Sequence, residues 1–244
     1  MRTPLALLAA LLCFTAFSAT AFAKDVVDAR PFDKLLKKYV DEAGAVDYKG
    51  WKASKEDGAA LDAFVAAVGT AKVAGDDKAK LAFYVNAYNA IVLDEILEEY
   101  PLASVMKVDG FFKTRKHKVA GKELTLDQLE NEVIRKQFAE PRIHFVLVCG
   151  AKSCPPLRRK AATAANIEGL LESSAKRFIP RATKVKDGAV TTSKLFEWFA
   201  GDFEKSDGSV AKYLARYVPK HKDAILADGA KLAYSHYSWK LNEQ

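Results

Sequence analysis

Hydrophobic residues recur at helical spacing along most of the chain. The clearest pattern covers residues 76–99, where Asp76 or Asp77 can cap the start and Pro101 lies just beyond the end. Its apolar stripe consists of Leu81, Tyr84, Val85, Tyr88, Ile91, Val92 and Ile96. Shorter patterns predict further helices at residues 31–42, 58–68, 125–138, 163–178, 195–204 and 209–217.

Short apolar runs between these helices predict a few strands. Residues 116–124 have the pattern of a hairpin that turns at Ala120-Gly121, and residues 142–149 form a continuous apolar run typical of a buried strand. Further extended pieces are expected at residues 45–48, 183–185, 190–191 and 231–234. Because helices outnumber strands, we expect a single helix-rich α+β domain with a small antiparallel sheet.

The first 23 residues have the pattern of a cleavable secretory signal. Arg2 supplies a positive start, an apolar run follows, and Ala21-Phe22-Ala23 precedes the charged Lys24. A membrane anchor is the alternative, but the apolar run is shorter than the ~20 residues that span a bilayer. We therefore predict a signal at 1–23, one domain at 24–244, and an exported protein of the periplasm or extracellular space with no transmembrane segment.

Composition, charge and the spacing of Cys and His residues argue against some classes of function. The chain is 28% charged and 50% hydrophobic, which is ordinary for a globular domain, and its net charge of +7 is spread along the sequence. No nucleic-acid-binding motif is present, so no nucleic acid partner is predicted. No second Cys or His pair has the spacing of a metal site, and neither a metal nor another cofactor is predicted.

Two polar residues fall where the pattern predicts a buried environment. Glu130 lies within the apolar stripe of the helix predicted at 125–138, and burial of a carboxylate requires a partner. An ion pair with Arg135 or Arg142 would be a purely structural explanation. His144 lies in the apolar run 142–149, where a satisfied core histidine is the structural alternative to a catalytic one.

Cys154 completes a possible catalytic set with these two residues. It lies in a loop that leaves the run 142–149, and Pro155 would suit the first position of a helix whose dipole favours a thiolate. This arrangement predicts Cys154 as nucleophile, His144 as general base and Glu130 as the group that orients the imidazole. A disulfide between Cys149 and Cys154 is the structural alternative, and reversible thiol redox chemistry is a third.

Asn86 and Asn89 lie on adjacent turns of the helix predicted at 76–99, where asparagine is unfavourable. One interpretation is that their amides tie the helix to a neighbouring loop. The other is that Asn86 donates a hydrogen bond to an oxyanion beside Cys154. The aromatic segments at 193–199 and 237–242 are interpreted as closing the core.

Five segments together resemble the domain of unknown function 547 family. They are FYVNAYNA at 83–90, LDQLE within 121–135, RIHF and CGAKSCPPL within 142–157, FEWF with Asp202-Phe203, and YSWKLN at 237–242. The resemblance implies one α+β domain of bacterial envelope proteins, distantly similar to papain-type cysteine hydrolases, with Cys154, His144 and Glu130 as its Cys, His and acidic set. The family often has His where this chain has Asn131, so any role of that His is missing here.

These observations predict an exported cysteine-dependent hydrolase or acyl transferase. Its substrate would be an amide or thioester, for example a small peptide or a glutathione-like thiol compound. The alternative is a non-catalytic binding module of the cell envelope with a structural Cys149–Cys154 disulfide.

Overall fold

The computed structural model describes residues 26–186 and 188–244. The signal predicted at 1–23 therefore lies outside the described residues. The α-helices are α1 Arg30–Tyr39, α2 Tyr48–Ala53, α3 Lys55–Thr70, α4 Asp77–Glu99, α5 Leu126–Gln128, α6 Arg135–Phe138, α7 Ile167–Ala182, α8 Leu195–Trp198, α9 Ala200–Asp207, α10 Val210–Tyr217 and α11 Lys222–Leu226. Together with two small sheets, these helices confirm the helix-rich α+β class.

Helix α4 is the central element of the fold. The Asp76 side chain accepts a hydrogen bond from the Ala79 backbone N–H, which caps the helix as predicted. The helix is apolar and buried around most of its circumference rather than on one stripe, because other segments cover it on several sides. Its buried polar groups therefore lie inside the domain and need partners there.

The helix predicted at 125–138 is a composite of α5, a π-helical segment over Leu129–Ile134, and α6. Thr125 and Gln128 form the predicted capping box at its start. π-Helical turns are rare and are frequently found at functional sites. Glu130 lies in this turn.

The sheets are small. Strands β1 His117–Val119 and β2 Lys122–Leu124 form the predicted antiparallel hairpin, and Ala120 and Gly121 both have positive φ at its turn. The other strands, β3 Lys184–Lys186, β4 Ala189–Thr192 and β5 Leu232–Tyr234, form a second sheet. Strands β4 and β5 pair in parallel, so the expectation of a purely antiparallel sheet is wrong for this pair.

The prediction of a strand at residues 142–149 is also wrong. A 3-10 helix covers Pro141–Phe145, and residues 146–149 form no strand. An apolar run of this length fits either a buried strand or a buried turn of helix, and periodicity alone does not separate them. The prediction that His144 is buried is nevertheless confirmed, at 3% exposure.

Buried side chains form two hydrophobic clusters. One is built around α1, α3 and α4, and the other around α7, α9 and α10. Cys154 and Trp239 pack against both clusters. The loop that carries Cys154 therefore lies where the two halves of the core meet.

None of the helices within 26–186 and 188–244 is long and apolar enough to cross a membrane.

Candidate functional site

A cavity of about 420 Å³ lies at the junction of the two hydrophobic clusters. Aromatic and aliphatic side chains form much of its wall: Phe112, Leu147, Trp198, Phe199, Tyr237 and Trp239. Polar and reactive residues also line it, among them Tyr88, Glu130, His144, Cys149 and Cys154. Concave, largely apolar cavities with a few convergent polar groups are typical of small-molecule sites.

Three of the four residues selected from the sequence meet in this cavity, namely Cys154, His144 and Glu130. They come from the π-helical turn, the 3-10 helix and the loop after it, so their convergence is a product of the tertiary fold. The catalytic roles assigned to them stay predictions.

Asn86 does not line this cavity. Its amide nitrogen donates to the Ala162 carbonyl at 2.7 Å, and its amide oxygen accepts from the Ala162 N–H at 2.8 Å. Asn89 makes the same pair of bonds, to the Val146 carbonyl and the Val148 N–H, both at 2.9 Å. Both asparagines thus tie α4 to neighbouring irregular chain, as in the first of the two interpretations, and Asn86 is not placed to stabilise an oxyanion beside Cys154.

Cys149 and Cys154 are both free thiols in close contact. Their Sγ atoms are 2.7 Å apart, and the Cys149 backbone N–H donates to the Cys154 sulfur at 3.0 Å. The Tyr237 hydroxyl lies 3.1 Å from the Cys149 sulfur. Tyr237 is buried in the core, as expected for its segment, and it also contacts the thiol pair.

The two thiols differ in acidity. Burial alone would raise the pKa of Cys149, but hydrogen bonds with Cys154 and Tyr237 hold it below its ordinary value. Burial raises the pKa of Cys154 well above its ordinary value. The Tyr237 hydroxyl and the Cys154 thiol both contact the Cys149 sulfur, so these contacts favour a thiolate on Cys149, although the sequence pointed to Cys154.

The expected helix at Pro155 is absent. Residues 155–158 are irregular, and the next α-helix begins only at Ile167. A proline disfavours helical geometry in the residue before it, so Pro156 works against a helix that starts at Pro155. The argument that a helix dipole acidifies Cys154 is therefore wrong.

His144 is held between two carboxylates. Its Nε2 atom is 2.7 Å from Asp202 Oδ2, and its Nδ1 atom is 3.8 Å from Glu130 Oε1. Its ring also stacks on Phe199, with centroids 3.8 Å apart. Burial lowers the pKa of this histidine and outweighs the opposing effect of Asp202.

Asp202 is a site residue that charge pattern and periodicity did not reveal. Besides His144 it binds Arg135, which donates from Nε at 2.7 Å and from Nη2 at 2.9 Å. Burial would raise the pKa of Asp202, but the hydrogen bonds from His144 and Arg135 hold it well below its usual range. The one sequence signal was its place in the Asp202-Phe203 segment of the family resemblance.

Neither Arg135 nor Arg142 forms the ion pair with Glu130 that was expected from the sequence. Arg135 pairs with Asp202, and Arg142 pairs with Glu140, Glu168 and Glu172. The hydroxyl of Tyr88 donates to Glu130 Oε2 at 3.2 Å. Burial raises the pKa of Glu130 from 4.5 to about 7, so this carboxyl can release or take up a proton near neutral pH.

A second hollow of about 290 Å³ adjoins the first. It is lined by residues 43–45, by the loop that carries Lys152, and by Asn242 and Glu243. Cys154 and Pro155 line both hollows. The thiol loop therefore separates an aromatic compartment from one whose lining residues, within the described chain, include no aromatic side chain.

Comparison with known proteins connects this chain to one family. Residues 74–179 match the family model described as "Protein of unknown function, DUF547". The matched segment contains Glu130, His144, Cys149 and Cys154, whereas Asp202 and Tyr237 lie beyond it. Neither the curated proteins nor the solved structures gave a match.

Proposed function

Residues 74–179 belong to the DUF547 family, and we propose that the chain is a cysteine-dependent hydrolase or acyl transferase acting on an amide or thioester. One observation carries the proposal: a pair of contacting thiols and a carboxyl with a pKa of about 7 line the same cavity. Nucleophilic thiols and acid–base groups tuned to neutral pH are the two elements that acyl transfer through a cysteine requires.

Cys149 supplies the nucleophile in this proposal. The reactive form of cysteine is the thiolate. The Tyr237 hydroxyl at 3.1 Å and the Cys154 thiol at 2.7 Å are both close enough to donate a hydrogen bond to a thiolate on Cys149. Its sulfur attacks the carbonyl carbon of the substrate and forms a thioester with the enzyme. Cys154 keeps its proton and donates a hydrogen bond to Cys149 before the attack.

Glu130 is the acid and base. In its protonated form it donates a proton to the departing amine or thiol, and as a carboxylate it then activates the water or acceptor that releases the acyl group. His144 acts as a positioning residue, since its imidazole lies between Asp202 and Glu130. Asp202, itself held by Arg135, fixes the imidazole ring, as the third residue does in triads.

The two hollows provide room for the two parts of an acyl substrate. The aromatic compartment suits an apolar acyl group, and the compartment beside Lys152, Asn242 and Glu243 suits a polar leaving group. Small peptides and glutathione-like thioesters have this combination of parts.

Export belongs to the same proposal. The tripartite pattern of residues 1–23 would direct the chain out of the cytoplasm and be removed after Ala23. Expression of the full chain in a bacterium, fractionation and N-terminal sequencing test this point. A chain that is recovered in the cytoplasm with Met1 intact would contradict export.

The test of the catalytic proposal is the capture of an acyl-enzyme. Reduced protein is incubated with phenylacetyl and octanoyl thioesters of N-acetylcysteamine, quenched in acid, and analysed by intact and peptide mass spectrometry. We expect the acyl group on Cys149, no acylation in Cys149→Ser, and acylation slowed by ~10²-fold or more in Glu130→Gln. Glu132→Gln, which changes an exposed carboxylate in the same π-helical turn, is the matched control.

Two results would overturn the proposal. One is the absence of any acylated cysteine with all probes, and the other is equal acylation of Cys149→Ser and the unaltered protein. Saturable quenching of tryptophan fluorescence by the probes without acylation would instead favour the non-catalytic binding module, because Trp198 and Trp239 line the cavity.

A further inference from the structure

We propose that Cys149 and Cys154 are a reversible dithiol–disulfide couple that exchanges with small disulfides of the glutathione type entering the cavity. This activity is separate from acyl transfer. It depends on the geometry of the thiol pair and on access to it, and not on Glu130 or His144.

The first support is the distance between the sulfurs. The Sγ atoms are 2.7 Å apart, whereas a disulfide bond is ~2.05 Å long. A movement of well under 1 Å therefore joins them, which is within the range of side-chain rotation.

The second support is that the loop holds both thiols in place. The Lys152 N–H donates to the Lys240 carbonyl at 2.8 Å, and the Asn242 N–H donates to the Gly150 carbonyl at 2.9 Å. The Ser238 N–H donates to Ser153 Oγ at 2.8 Å. Because the closing segment clamps the loop along its length, the two thiols meet at a high effective concentration.

The third support is the stabilisation of the reduced form. Tyr237 lies 3.1 Å from the Cys149 sulfur, and the Cys149 N–H lies 3.0 Å from the Cys154 sulfur. These donors stabilise a thiolate but lose most of their strength towards a disulfide sulfur. A disulfide at this position is therefore more easily reduced than a purely structural one, as expected for an exchanging couple.

The fourth support is that a small molecule can reach the two cysteines. Both cysteines line the cavity, and Cys154 also lines the second hollow, so a small disulfide can approach the pair and its thiol product can leave. Lys113 is exposed at the wall of the aromatic cavity and offers a cation to the carboxylates of a glutathione-type disulfide. A structural disulfide would have no need of these openings.

The thiol–disulfide exchange proceeds in two steps, and its atoms and electrons balance. The Cys149 thiolate attacks one sulfur of the disulfide RSSR, a new Cys149–SR bond forms, the RS–SR bond breaks, and RS⁻ leaves and is protonated by solvent. Cys154 then loses its proton and attacks the Cys149 sulfur, which releases the second RS⁻. In total the two cysteines lose two electrons and two protons, and RSSR is reduced to two RSH.

The experiment equilibrates the mature protein with reduced and oxidised glutathione at a series of ratios under argon. Each sample is quenched in acid, alkylated with N-ethylmaleimide and weighed by mass spectrometry. We expect one reversible transition from two alkylated cysteines to none, with the same midpoint from either direction. The variant Cys154→Ser should accumulate a stable glutathione adduct at Cys149, because it has no thiol to resolve it.

A second pair of variants tests the role of the Tyr237 hydroxyl as a hydrogen-bond donor to the Cys149 sulfur. Tyr237→Phe removes the hydroxyl and should slow formation of the adduct in the Cys154→Ser background by about tenfold, since a hydrogen bond to a charged group is lost. Tyr234→Phe, on strand β5, is the matched control and should leave this rate unchanged.

The proposal is overturned if the cysteines stay reduced, or stay oxidised, across the whole range of ratios. It is also overturned if Cys154→Ser fails to form the adduct while circular dichroism shows that it is folded. Thioester acylation of the reduced protein is measured separately. Exchange without acylation removes only the acyl-transfer proposal, and acylation without exchange removes only this one.

Discussion

The carboxyl of Glu130 is largely buried, with a side chain that is 16% exposed, and it makes folding stability depend on pH in a direction that can be tested without any substrate. The perturbation is Glu130→Gln, which keeps the size of the side chain and removes its charge. The groups that face Glu130 are Tyr88, Asp127, Arg135, His144 and Asp202. They are retained in the variant, so their own titrations largely cancel when the two proteins are compared.

The magnitude follows from the pKa. Burial raises the pKa of Glu130 from 4.5 in the unfolded chain to about 7, and each factor of ten in acidity corresponds to ~1.36 kcal/mol. Between these two values the folded state binds the proton more tightly, so the free energy of unfolding decreases as the pH rises through this window. The full loss is about 3 kcal/mol and is complete somewhat above pH 7.

The glutamine variant does not have this loss. We expect Glu130→Gln to be more stable than the unaltered protein by about 3 kcal/mol near pH 8.5, and by less than about 1 kcal/mol near pH 5. Urea unfolding followed by circular dichroism at both pH values measures the difference. Glu132→Gln, on the exposed side of the same turn, should show no such dependence on pH. A stability difference that is equal at the two pH values would refute the argument.

Three further predictions concern the surroundings of the site. Asp202→Asn removes the negative charge that supports protonation of His144, so the pKa of this histidine should fall further, as measured by NMR titration of its ring protons. Asn89→Ala leaves two buried backbone groups without partners and should lower the free energy of unfolding by about 2 kcal/mol or more in urea titrations. Gly150→Ala places a methyl group at a positive φ of 74° and 2.5 Å from Ile96 Cδ1, and should cost about 1–3 kcal/mol in the same assay.

Two polar residues that need partners inside the protein could be identified from the sequence because their neighbours are apolar. Glu130 within a helical stripe and His144 within an apolar run both required partners inside the protein, and the structure places them in one cavity with Cys154. The identity of their partners could not be predicted. Asp202 lies 58 residues from His144 along the chain, and nothing in the local pattern around either residue indicates the pairing.

The amino-acid sequence by itself determined the helix-rich α+β class, the long helix at 77–99, the capping box at Thr125 and the hairpin at 117–124. These features depend on periodicity, caps and turns, which act over a few residues. Only the tertiary structure decided that residues 141–145 are a 3-10 helix, that the Tyr237 hydroxyl contacts the Cys149 sulfur, and that Asp202 holds His144. Burial, hydrogen bonding and charge act on these groups through neighbours that are distant in sequence and meet only when the two halves of the core pack together.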